Sequence, residues 1–138
     1  MLTEKDYCDY DTCVALKKLG YTEKTLAYYT SERFFHWKRA YIYNVSIPDL
    51  AKSANKKGYK HVVDAVSLWE AQKWLRKEKG IIVDVFVDDD SDTPITYNIY
   101  KDGKCVYHHH GKYWSVKEWS EALLDGIKAA VKLLKEEK

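Results

Sequence analysis

The chain has 138 residues, enough for one domain with one core; 46% are hydrophobic and 32% charged, a balance that excludes wholesale disorder. No run approaches the roughly 20 apolar residues that span a bilayer, and the opening Met1–Asp6 lacks the apolar core of a signal peptide, so a cytoplasmic protein with no membrane segment is expected. The net charge of +2 conceals two opposed lobes.

A helix near 4–19 is expected, capped by Thr3 or Asp9, with Leu16 and Leu19 inward and Gly20 as a left-handed stop. Strands near 25–29 and 34–43 follow, joined by Thr30-Ser31-Glu32-Arg33. The second alternates: Phe35, Trp37, Arg39, Tyr41 and Tyr43 share one face, and His36, Lys38, Ala40 and Ile42 the other. Residues 44–66 read as a basic loop or short helix, with Pro48 placed to open a helix ending near Gly58. From Arg33 to Lys60 seven basic residues (Arg33, Lys38, Arg39, Lys52, Lys56, Lys57, Lys60) face Asp49 alone, about +6.

A helix over 68–79 is predicted next. Ser67 and Glu70 fit a capping box, Leu68, Ala71 and Leu75 form a stripe with Trp74 beside it, and Gly80 closes the helix. Trp69 falls on the far side, between Lys73 and Arg76, and should be partly exposed. Residues 81–88 alternate at period two, with Ile81, Val83, Val85 and Val87 on one face. An acidic loop over 88–94 leads to a hairpin of strands 95–100 and 104–109 around Asp102-Gly103. From Asp84 to Asp102 six Asp face Lys101 alone, about −5.

The last helix is expected over 116–136, with Ser115 and Glu118 as a second capping box and Trp119, Leu123, Ile127, Ala130 and Leu134 as its stripe. Gly126 lies on the stripe's edge, where it costs about 1 kcal/mol of helix propensity and signals close contact with a neighbour.

These segments give an α+β class: a single domain over 1–138, an antiparallel sheet covered by helices. From Ser67 onward the order is helix, three strands, helix, which double-stranded RNA-binding domains share. Their Lys-rich helix start is absent, and the loop here is acidic; both oppose that mode.

Trp69-Glu70-Ala71-Gln72-Lys73-Trp74-Leu75-Arg76 with Gly80-Ile81, Trp119-Ser120-Glu121-Ala122-Leu123 with Gly126-Ile127, and Leu16-Lys17-Lys18-Leu19-Gly20-Tyr21 resemble a family of small uncharacterised proteins from Bacteroidetes genomes and their phages and prophages. The likeness covers residues 17–29 and 67–134, and the basic segment from Pro48 to Lys60 departs from it. The resemblance implies an intracellular, mobile-element setting, and it implies no catalytic residues.

Chemistry-bearing motifs are few. His108 and His110 of the run His108-His109-His110 would share a strand face, giving two imidazoles where a metal site needs three or four ligands, so adventitious binding at most is expected. Asp88-Asp89-Asp90-Ser91-Asp92 lacks the Gly and the bidentate Glu of a calcium loop. Cys8, Cys13 and Cys105 have no framework spacing; Cys8 and Cys13 read as small buried or half-buried side chains of a protein in a reducing compartment. No Gly-rich phosphate loop, Gly-x-Ser-x-Gly elbow or His-Glu-x-x-His occurs, so neither enzyme activity nor a cofactor is expected.

Binding remains. Trp, Tyr and Arg most often anchor interfaces. Trp37, Arg39, Tyr41 and Tyr43 form one candidate contact set for a protein partner, and Trp69 with Arg76 a second. The alternative is a weak nucleic-acid binder that stacks bases on the same aromatics and meets phosphates with Lys38, Arg39, Lys52, Lys56, Lys57 and Lys60. Opposed charge lobes also suit head-to-tail self-association into a homo-oligomer.

Overall fold

The first helix ends early at its N-terminal side because Asp9 stops it. Asp9 is the N-cap of α1 (Tyr10–Lys18), and its carboxylate accepts the Thr12 N–H at 2.9 Å. At the other end Gly20 adopts φ +109°, the Gly20 N–H bonds the Lys17 carbonyl and the Tyr21 N–H bonds the Leu16 carbonyl, which completes a Schellman motif. A computed structural model of the chain describes residues 3–30, 33–37, 61–88, 95–109 and 118–137. Within them the chain divides into two compact units, Met1–Ser67 and Leu68–Lys138.

In the first unit, the helix expected near 4–19 is interrupted. A 3₁₀ turn at Glu4–Asp6, capped reciprocally by Thr3 and Asp6, precedes α1, and between them Tyr7 is extended and bridges Ser67. Pairing of Tyr7 with a distant segment outweighs the local helical tendency. Strands β1 (Ala27–Thr30), β2 (Phe35–Trp37) and β3 (His61–Ala65) form an antiparallel sheet in the order β2-β1-β3. α1 packs on β3, and Cys8, Cys13, Leu16, Ala27, Tyr29, Val63 and Ala65 are buried. Tyr7, Phe35 and Trp37 meet edge to face, with centroids 5.1–5.5 Å apart. Of the stretch read as basic loop or short helix, 61–65 is a strand. Val63 and Ala65 alternate onto the buried face, a signal masked by the lysines before them. Residues 38–60, with the helix expected after Pro48, lie outside the described residues.

The second unit follows the expected order. α2 (Leu68–Lys79) starts where the Ser67 cap position predicts and ends at Gly80, φ +67°. Strands β4 (Ile81–Val87), β5 (Ile95–Lys101) and β6 (Lys104–His108) form a second antiparallel sheet in the order β4-β5-β6. The β5–β6 turn uses Asp102 at φ +51° and Gly103 at φ +82°, the two left-handed residues of a tight two-residue hairpin. α3 (Trp119–Glu136) begins three residues later than expected. Glu118 is its N-cap, without a side-chain cap bond, and the expected Ser115 cap falls within residues 110–117, which lie outside the described residues. The helix starts where the apolar stripe starts. Its stripe buries Leu123, Ile127 and Ala130 against β4 and β5, while α2 packs on β4 and on α3. Val87, expected on the inner face, is 52% exposed because it ends its strand.

The class is therefore α+β with antiparallel pairing, and the strands divide between two three-stranded sheets. Both rims of the second sheet are modified. Gln72 of α2 donates its side-chain N–H to the Val83 carbonyl at 2.7 Å on the rim of β4, and the β5–β6 register shifts between Ile99 and Tyr100. Lys101, in turn, pairs with Glu137 beyond the end of α3.

Candidate functional site

α2 is amphipathic, and its inner stripe of Leu68, Ala71, Trp74 and Leu75 is buried. That fixes which residues face out. Trp69, Lys73 and Arg76 stand at i, i+4 and i+7, one stripe of a helix, and all three are exposed. Trp69 is 57% exposed, with no hydrogen bond or ring partner among the described residues. The platform under it is held at several points: Gln72 to the β4 carbonyl, the Lys79 ammonium 5.5 Å over the Trp74 ring, and the Gly80 stop. The expected Trp69 and Arg76 set is thus brought together, with Lys73 between them.

In the first unit Trp37 is 43% exposed while its edge engages Tyr7 and Phe35. Its expected companions Arg39, Tyr41 and Tyr43 lie outside the described residues, as do Lys38, Lys52, Lys56, Lys57 and Lys60 of the nucleic-acid reading. Arg33, counted in the basic lobe, is engaged within the fold: its guanidinium sits 4.7 Å over the Tyr10 ring and 3.2 Å from the Asp11 carboxylate. Sequence reasoning missed two exposed apolar side chains here, Leu26 and Phe34. Both flank short strands, where position rather than periodicity decides exposure.

His108 is exposed, and its Nδ1 pairs with the Asn98 amide oxygen across the β5–β6 ladder. His110 lies outside the described residues. Among the described residues no group of three His, Cys, Asp or Glu side chains converges. His109, by contrast, stacks on Tyr97 at 4.7 Å. Cys105 is exposed, and Cys8 and Cys13 are buried as expected.

A cavity of about 320 Å³ opens in the first unit, walled by Cys13, Lys17, Tyr21, Thr22, Val63, Asp64 and Val66. Beside it the Cys8 thiol is held well above the ordinary thiol range, first by its hydrogen bond with Cys13 and then by burial. Burial, followed by the field of Cys13, pushes the Tyr29 phenol well up; burial, followed by Tyr107, does the same to Tyr97. None of these groups is placed on the Trp69 stripe. No helix among the described residues is long and apolar enough to cross a membrane. Compared with protein-family models, with the curated proteins and with the solved structures, the chain finds no match.

Proposed function

We propose that the protein is a non-enzymatic interaction module that docks a protein partner on the outer stripe of α2. The observation that carries this reading is Trp69, exposed on a braced helix beside Lys73 and Arg76. A Trp side chain left 57% exposed presents on the order of 100 Å² of mostly apolar surface, and burying it is worth about 2.5 kcal/mol. That is the scale of a single interface anchor. The cations at Lys73, Arg76 and Lys77 select a partner with an acidic rim around an apolar slot. The resemblance to Bacteroidetes phage and prophage proteins supports a cytoplasmic, mobile-element setting in which that partner is a host protein. Trp37 is a second contact point on the same reasoning.

The test is photo-crosslinking from position 69 in host cells, identification of the captured protein, and titration of that purified protein against the wild type and Trp69→Ala. A saturable complex weakened at least tenfold by the substitution supports the proposal. Equal affinity for both chains defeats it. So does a complex formed only with oligonucleotides, with affinity falling steeply with salt, which is the signature of the nucleic-acid reading. Capture of a second copy of this chain alone would likewise replace the host partner with self-association.

A further inference from the structure

The open edge of β4 and the outer flank of α2 lie side by side. In an antiparallel ladder successive residues turn their main-chain groups alternately toward the neighbouring strand and away from it. Two bonds fix which is which in β4. The Gly80 carbonyl accepts the Asp102 N–H at 3.5 Å on the β5 side, and the Val83 carbonyl accepts the Gln72 side chain at 2.7 Å on the other. Ile82, Asp84 and Phe86 therefore face β5, while Ile81, Val83, Val85 and Val87 turn their N–H and C=O groups out of the sheet. Among the described residues β4 pairs with β5 alone, and the outward groups of Val85 and Val87 have no main-chain partner.

Gln72 also fixes the rotation of α2. At about 100° per residue, Leu68 and Leu75 lie about 40° and 60° to one side of Gln72, and both are buried. Arg76 and Trp69 lie about 40° and 60° to the other side, and both are exposed. Gln72 reaches the rim of the sheet, so the flank beyond it overhangs the open edge. α2 and β4 run antiparallel through the Gly80 turn, which sets Trp69 about 4.5 Å beyond Gln72, alongside Val85, and Arg76 back toward Ile81.

A strand edge beside a helix holds an extended peptide by strand addition: main-chain bonds give affinity, and alternate side chains give specificity. We propose that the partner enters this groove as an extended segment that adds as a fourth strand beside Val85 and Val87, with an apolar side chain under Trp69 and an acidic one against Lys73 and Arg76. The proposal rests on the docking of a partner on α2 and says what form the docked segment takes. An added strand lies about 4.8 Å outside β4, and every second side chain on it rises toward α2. Lys73 and Arg76 form no ion pair among the described residues, so their charge is available to a carboxylate. On the opposite face Ile82 is exposed beside Asp84, which favours apolar side chains there and repels acidic ones. The Gln72 bond at Val83 stops the added strand, so a short segment fits and a strand along the whole edge does not.

The experiment uses the full chain. A phage-displayed library of random dodecapeptides is selected on it, and the tightest peptide is synthesised and titrated by calorimetry. The selected sequences should share an apolar residue and an acidic residue two positions apart. Methylating the peptide amides one at a time should divide them into two alternating sets, one losing at least tenfold in affinity and the other unaffected. Val87→Pro removes only an outward N–H, on a strand edge where proline is tolerated, and should weaken binding at least tenfold. Trp69→Ala should do the same. Equal sensitivity of all the peptide amides overturns the proposal, and that readout needs no variant to fold. So does a selected motif with helical spacing, or a selection that enriches nothing over the bare support. Loss of affinity in Trp69→Ala without loss in Val87→Pro also overturns it, while leaving docking on α2 standing. A peptide that binds Trp69→Ala as tightly as wild type overturns it as well (docking on α2 is then judged by the crosslinked protein alone).

Discussion

Gly126 is the position where the packing of the second unit is most exactingly set, and Gly126→Ala tests it. A Cβ built at Gly126 would lie 2.5 Å from Val83 Cγ1 and 3.3 Å from Tyr97 Cδ2. Ordinary carbon contacts sit at about 3.5–4.0 Å, so α3 and β4 must separate by about 1 Å or Val83 must change rotamer. Neither is easy: Val83 and Tyr97 are both buried, and a β-branched side chain has few alternatives. Overpacking of this kind costs up to about 3 kcal/mol, while replacing a mid-helix Gly by Ala returns about 1 kcal/mol of helix propensity. The expected net loss is about 2 kcal/mol, measured by urea unfolding of the full chain. A double-mutant cycle locates the cause. Val83→Ala alone loses about 2 kcal/mol from two methyl groups and the cavity they leave. In combination with Gly126→Ala it should lose less than the sum by about 1–2 kcal/mol, because the clashing methyl is gone. A Gly126→Ala chain more stable than wild type, or strict additivity in the cycle, would show that α3 does not press on Val83 and refute the reasoning.

Trp69→Ala should leave urea stability within about 0.5 kcal/mol of wild type, as an exposed side chain with no hydrogen bond or ring partner among the described residues does, while abolishing most affinity for the captured protein. Gly103→Ala places a side chain at φ +82° in the β5–β6 turn and should lower stability by about 1 kcal/mol, read from the same unfolding curves. Stability should also decline at alkaline pH. Cys8, Tyr29 and Tyr97 all have native pKa values raised above their unfolded ones, so their contribution is whole below about pH 9 and is lost as pH rises from there toward the native values. The unfolded chain releases each proton first, giving a slope of up to about 1.4 kcal/mol per pH unit per group. Tyr97→Phe should flatten the decline monitored between about pH 9 and 11, and stability that rises over that range would contradict the burial of these groups.

The second unit was legible in the sequence because its signals are local. A cap position and Gly80 bound α2, Asp102-Gly103 sets the hairpin, and Gly126 announced a close approach that the structure places against Val83 and Tyr97. The exposure of Trp69 followed from helical spacing alone. The first unit was less legible because its decisive contacts are long-range. Tyr7 pairs with Ser67 across the whole unit, and β3 joins β1 over a separation of more than thirty residues. No periodicity in a five-residue strand beside a lysine-rich stretch reveals that. Cys8 and Cys13, read as buried or half-buried, are buried, but the approach of the Cys13 thiol to the Cys8 carbonyl depends on Asp9 rather than Thr3 capping α1, a choice the composition left open.

The two rims of the β4-β5-β6 sheet bear on how the protein behaves when concentrated. A bare strand invites another molecule to add, and then another, until a fibril has been seeded. At β4 the Gln72 amide already occupies a carbonyl that an incoming chain would need, and at β6 the slipped register and the charge of Lys104 spoil the template. Polymer growth by strand addition is thereby discouraged from either side, and Gln72→Ala is the change that would reopen one of them.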